Sequence, residues 1–182
     1  MTEKHTINIK TLSLDDELDF KDERFQFYLE KFVYKVSFLL PSDIDETLLL
    51  LRGHLAIEFF VNTIFNLKLV RSKKDLTKGL NFSKKLSLIN SMDLIESDIF
   101  TSINEINKLR NKIAHVFDYR ITMSDLDLAV KPLPKKIRDD FKERIDEERW
   151  TERELLRSLI TTLLLNLVHS AYILDKSFGE DA

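Results

Sequence analysis

Leu109-Arg110-Asn111-Lys112-Ile113-Ala114-His115 is the stretch that decides how this chain folds. Read as helix at about 100° per residue, it extends an apolar face made by Ile99, Ile103, Ile106, Ile113, Ala114 and Phe117. Arg110 falls in the middle of that arc. Asn104, Asn107, Asn111 and His115 form a second stripe along its edge, three or four residues apart. Glu105, Lys108 and Lys112 take the opposite, solvated side. A guanidinium on a buried face is costly unless something meets it, so the end of this helix reads as a polar site.

The flanking sequence reads as more helix. Phe25 to Leu39 carries aromatic and apolar residues at helical spacing and stops at Pro41. Ser42 or Asp43 can cap a helix from Ile44 to Leu69, whose positive N-terminus suits Asp45 and Glu46. Arg71 to Lys78 is a basic linker, followed by a short helix from Phe82 to Asn90. Ser97 can cap the Arg110 helix, which is expected to run to Phe117. Asp118 to Pro134 breaks the periodicity and holds Pro132 and Pro134, so it is expected to be the main loop. Lys135 to Glu148 is a charged amphipathic helix. Thr151 with Glu154 forms a capping box for a last helix reaching Ser177. Residues 1–22 read as a polar arm, 23–178 as one helical-bundle domain and 179–182 as a tail.

Composition agrees. With only 3 Gly and 3 Pro in 182 residues there are few places to turn, which favours long helices over an all-β fold. The absence of Cys excludes disulfides, thiol nucleophiles and zinc–cysteine sites. A net charge of −3 gives no general attraction for a polyanion, so nucleic acid must be met by a local basic patch. No helix-turn-helix with a basic recognition helix stands out, and sequence-specific DNA binding is not expected. Without an apolar N-terminal segment the expectation is a cytoplasmic protein. Leu155 to Leu174 is long and leucine-rich, yet Arg157, Asn166 and His169 make it a core helix or oligomer seam rather than a membrane span.

Three further constellations bear on function. His54, Glu58 and Asn62, at i, i+4 and i+8, form one line that can face the Arg110 helix and supply a carboxylate to Arg110 or His115. Two ligands are too few for a metal, and neither a metal nor a cofactor is expected. Arg71, Lys73, Lys74, Lys78, Lys84 and Lys85 make a basic run that suits either nucleic acid or a solvated linker. Thr162, Asn166 and His169 are a polar line explained by core or interface hydrogen bonds. For Arg110 and His115 two readings stand. In one, His115 is a general acid or base and Arg110 holds a phosphate. In the other, Arg110 pairs with Glu58 and His115 merely ends its helix.

Arg110-Asn111-x-x-x-His115 resembles the Arg-x4-His signature of the HEPN superfamily, small helical bundles that include metal-independent ribonucleases and toxin-like effectors. Leu51-Arg52-Gly53-His54-Leu55-Ala56-Ile57-Glu58, Leu80 to Ile89, and Leu94-Ile95 are similar to the segments before the signature in the mannitol-repressor branch. The likeness covers roughly residues 46 to 130. It implies an all-α, up-and-down bundle and a metal-independent endoribonuclease or RNA-binding effector. The implied catalytic site is Arg110, Asn111 and His115 with Glu58 in support, and Asn107, Lys112 and His54 are binding residues. It also implies a prokaryotic homodimer whose two signatures meet across the seam, acting on RNA or with a protein partner and without a membrane. The alternative is a non-catalytic regulatory or protein-interaction module like the mannitol-repressor proteins. Toxin-type relatives carry a tyrosine two residues after the histidine, where this chain has Phe117, so regulation through that tyrosine does not transfer.

Overall fold

Two long apolar helices, far apart in sequence, form the centre of the fold in the computed structural model. It describes residues 44–69, 79–147 and 149–179, together with 23, 25, 26, 29, 30, 40 and 41. Helix α1 spans Glu46–Leu69. Asp45 opens it, its Oδ1 accepting from the Leu48 N–H at 2.9 Å, and so satisfies one of the donors that a helix start leaves unpaired. The last helix, α6, spans Glu152–Gly179 and lies along α1 in the most extensive packing of the molecule. Leu49, Leu50, Ile57, Val61 and Ile64 of α1 join Leu156, Leu159, Ile160, Leu163, Leu167 and Val168 of α6 in a core where all are shielded from solvent. Full burial of such side chains is worth roughly 1.5–3 kcal/mol each, which explains why this pair organises the rest. Gly53 lets the helices come close, since a Cβ there would stand 2.4 Å from Ile160 Cδ1.

Four shorter helices fill in between: α2 (Phe82–Ser91), α3 (Ser97–His115), α4 (Met123–Val130) and α5 (Lys135–Glu147). The described residues contain no strand, so the protein is an all-α helical bundle. Asn81 caps α2, accepting from the Lys84 N–H at 3.0 Å. Helix α3 packs chiefly on α4 and α1, burying Ile99, Ser102, Ile103, Ile106 and Leu109. The Ser102 hydroxyl, fully buried, donates to the Ala129 carbonyl at 2.6 Å and ties α3 to the end of α4. The capping box at α6 is present, with Thr151 N–H and Oγ1 both donating to Glu154 Oε2 at 2.7 and 2.8 Å.

Several boundaries differ from the sequence expectation. The segment expected to be the main loop contains α4, because Thr122 and Asp125 form a second capping box. Ser97 is the first helical residue of α3 rather than its cap; the N-cap is Glu96, which makes no side-chain cap bond. Helix α3 ends at His115, two residues early, and Phe117 is 94% exposed instead of lying on the buried face. Ala114 is also exposed, and Arg110 and Ile113 are half-buried. The cause is tertiary: the first three turns of α3 have helices opposite, and the last turn runs out beyond them.

Helix α6 is a core helix. Both α1 and α6 are long and apolar enough to cross a membrane, but more than half of each apolar window is buried inside the bundle. On its polar line, Asn166 Nδ2 donates to the Thr162 carbonyl at 2.9 Å, whereas the buried Thr162 hydroxyl has no partner. Of the expected Phe25–Leu39 helix, the described residues Phe25, Gln26, Leu29 and Glu30 are helical. Phe25 packs its ring edge-on against Tyr172, 5.2 Å between centroids. The N-terminal arm, Ser42, Asp43 and the Arg71–Lys78 run lie outside the described residues.

Candidate functional site

The residues singled out from sequence fall into two neighbouring places on α3. The first is a polar seam where α3 meets α1 and α2. His54, only 4% exposed, donates from Nε2 to Asn107 Oδ1 at 2.9 Å. Asn107 Nδ2 in turn donates to Ser83 Oγ at 3.3 Å, so one amide links three helices. The Phe82 ring lies 4.7 Å from the imidazole, centroid to centroid. Burial lowers the His54 pKa below its ordinary value; the Asn107 bond pushes it up, the Arg110 charge down and the Glu58 charge up, and burial prevails. One turn beyond Glu58 on the same line, Asn62 Oδ1 accepts from Lys85 Nζ at 2.7 Å. Of the stripe expected to face the Arg110 helix, His54 thus bonds α3, while Asn62 bonds α2 instead.

Arg110 sits at the edge of this seam, half-buried, with Nη1 donating to Asn111 Oδ1 at 3.0 Å. Among the described residues no ion pair joins it to Glu58 or to any other carboxylate. The carboxylate compensation expected from sequence is thus absent there, and it is less needed, because the guanidinium is partly in water.

The second place is the C-terminal end of α3. An open depression of about 730 Å³ lies between Thr47, at the start of α1, and residues 113–120. His115 is exposed and lines it, as does Arg120. Arg110 does not line it: five residues on an α-helix turn by about 140° beyond a full circle, so Arg110 and His115 of one chain face different ways.

The depression has a stiff rim. After α3 the chain turns, the Tyr119 N–H donating to the Val116 carbonyl at 3.3 Å with Asp118 left-handed at φ 57°. Lys112, expected on the solvated side, is exposed but engaged: its Nζ donates to Tyr119 Oη at 2.5 Å and Asp125 Oδ1 at 3.2 Å, and lies 4.2 Å from the Tyr119 ring centre. Tyr119 Oη donates to Asp125 Oδ2 at 2.6 Å, which also accepts from Thr122 N–H and Oγ1. Burial alone would raise the Asp125 pKa, but the bonds from Tyr119, Thr122 and Lys112 outweigh it and bring it down to about 2. Sequence reasoning missed Tyr119, Asp125 and Arg120. The Thr122-x-x-Asp125 capping pattern was legible; the reach of Lys112 to Tyr119 was not, since it depends on the turn.

The arrangement offers an exposed imidazole, two cations without a carboxylate partner among the described residues (Arg110 and Arg120), and a buried histidine, His54, whose pKa burial lowers and which feels the charge of Arg110. No three His, Asp or Glu side chains gather to hold a metal among the described residues. In comparisons with known proteins, no family model, curated protein or solved structure matches this chain.

Proposed function

We propose that the chain is a HEPN-like, metal-independent endoribonuclease or RNA-binding effector that works through Arg110 and His115. The observation that carries this is the exposure of His115 in an open depression at the end of α3, with Arg110 on the same helix end and free of any described carboxylate. In the proposed reaction His115 takes the proton of an RNA 2′-hydroxyl. The 2′ oxygen attacks the adjacent phosphorus, the bond to the 5′ oxygen breaks, and that oxygen leaves with a proton from water. Arg110, steadied by Asn111, meets the charge that develops on the phosphate. His54 and Asn107 act behind it, by holding α3 against α1 and α2, and Glu58 contributes charge rather than contact.

Because Arg110 and His115 diverge within one chain, the reading includes a homodimer, in which a second copy completes the site. Exposed Leu48 and Leu55 on α1, and Val116 after α3, provide apolar surface for such a seam. The same surface favours the second reading, a non-catalytic interaction module. The two separate in one assay: purified protein incubated with single-stranded RNA in a chelator. The nuclease reading expects fragments ending in a cyclic phosphate; an intact RNA in every condition, with capture of a protein partner, supports the module.

A further inference from the structure

We propose that Phe117 is a stacking platform for a nucleobase of single-stranded RNA, and that Arg120 beside it takes the phosphate. This rests on the ribonuclease reading above and assigns that site its substrate contacts.

Phe117 is 94% exposed, the most exposed of the large apolar side chains among the described residues. A phenylalanine in water forgoes the gain of burying its ring, so a position that holds one there invites a use. It is also not held out by a loose tip. The turn is closed by the Val116–Tyr119 backbone bond and by left-handed Asp118. Next to it, Tyr119 is anchored to Lys112 and Asp125. Two aromatics two residues apart thus have opposite fates: Tyr119 pins the turn, and Phe117 is presented by it. A ring presented by a stiff turn loses little freedom on binding.

Its neighbours select the ligand. Phe117, His115 and Arg120 line one open depression of about 730 Å³, ample for a nucleotide. Arg120 is exposed and pairs with no carboxylate among the described residues. Asp118 is the only carboxylate in the lining, against the guanidinium of Arg120 and the imidazole of His115. An apolar ring face beside a cation, in an open groove, is the arrangement that binds single-stranded nucleic acid: bases stack on aromatics and the backbone follows the charge. A duplex, whose bases are already stacked, cannot use the ring.

The test uses a short 2′-O-methyl oligoadenosine, which lacks the attacking hydroxyl and cannot be cut, and an abasic 2′-O-methyl ribose-phosphate oligomer of the same length, which cannot be cut either. Affinities for wild type, Phe117→Ala and Phe117→Trp are read by fluorescence anisotropy in chelator. Phe117→Ala is expected to bind the adenosine oligomer about tenfold more weakly, in line with the loss of one stacked base. The abasic oligomer should bind both proteins alike, and Phe117→Trp should restore the adenosine affinity. Equal adenosine affinities, or an equal loss for both probes, overturn the assignment. So does a change in sedimentation of Phe117→Ala, which would place the ring in a seam between copies. If wild type binds neither probe, the assignment falls; cleavage of ordinary RNA that still depends on His115 would then leave the ribonuclease reading standing, and its absence would remove both.

Discussion

His54 Nε2 and Asn107 Oδ1, 53 residues apart in sequence, lie 2.9 Å from each other and join α1 to α3 beneath the candidate site. Burial keeps this histidine's pKa below 6.5. A histidine held neutral in the fold takes its proton more readily when unfolded. Its contribution is therefore complete above the unfolded value of 6.5 and is lost progressively as pH falls below it. Urea unfolding of wild type at about pH 8 and about pH 5 should show a loss of stability at the lower pH. His54→Gln, which does not titrate, should show a smaller loss between the same pH values. An identical loss in both proteins would mean that His54 does not carry the effect.

The Asp125 carboxylate is the hub that holds the turn after α3. Its pKa, lowered from 3.8 to about 2, means that stability is present above 3.8 and is lost as pH falls through about 2. Asp125→Asn should remove that acid sensitivity and loosen residues 116–122. Lys112→Ala, on the side of α3 that the helical wheel assigns to solvent, should loosen the same turn because Lys112 bonds both Tyr119 and Asp125. Hydrogen exchange at the Tyr119 amide reads this directly: faster exchange in both variants is expected, and unchanged protection would contradict the clamp.

Gly53 lies at the closest approach of α1 and α6. Alanine is about 1 kcal/mol the better helix former, yet its Cβ would meet Ile160 Cδ1 at 2.4 Å and Cγ2 at 2.9 Å. Isoleucine in a helix has one strongly preferred χ1 rotamer and gives way poorly, and overpacking typically costs about 1–3 kcal/mol. Gly53→Ala should therefore lower the denaturant midpoint, and adding Ile160→Val, which removes Cδ1, should recover part of the loss. A midpoint at or above wild type for Gly53→Ala alone would show that the helices separate freely.

The helical class was readable from periodicity and from the scarcity of Gly and Pro; of the line His54, Glu58, Asn62, expected to face the Arg110 helix, His54 bonds α3 and Asn62 bonds α2 instead. What failed was local to the end of α3. A helical wheel places Phe117 with Ile103 and Ile106, but whether another helix stands opposite the last turn is a property of the assembled bundle. The same blindness made Arg110 look buried and hid the bonds of Lys112 to the turn. Helix α4 was obscured by Pro132 and Pro134, which follow it, although Thr122 and Asp125 announce its start. The separation of Arg110 from His115 within one chain follows from helical geometry alone and could have been drawn from their spacing.

Wild type and His115→Ala, incubated side by side with single-stranded RNA in a chelator, decide whether His115 moves protons. A general acid–base residue contributes about 10²–10⁴-fold in rate, and His115 is exposed at a helix end, so its removal should leave helicity and oligomeric state intact. The predicted result is cutting by wild type to cyclic-phosphate ends, a loss of at least a hundredfold in His115→Ala, and a comparable loss in a folded Arg110→Ala. Equal cutting by wild type and His115→Ala would contradict it.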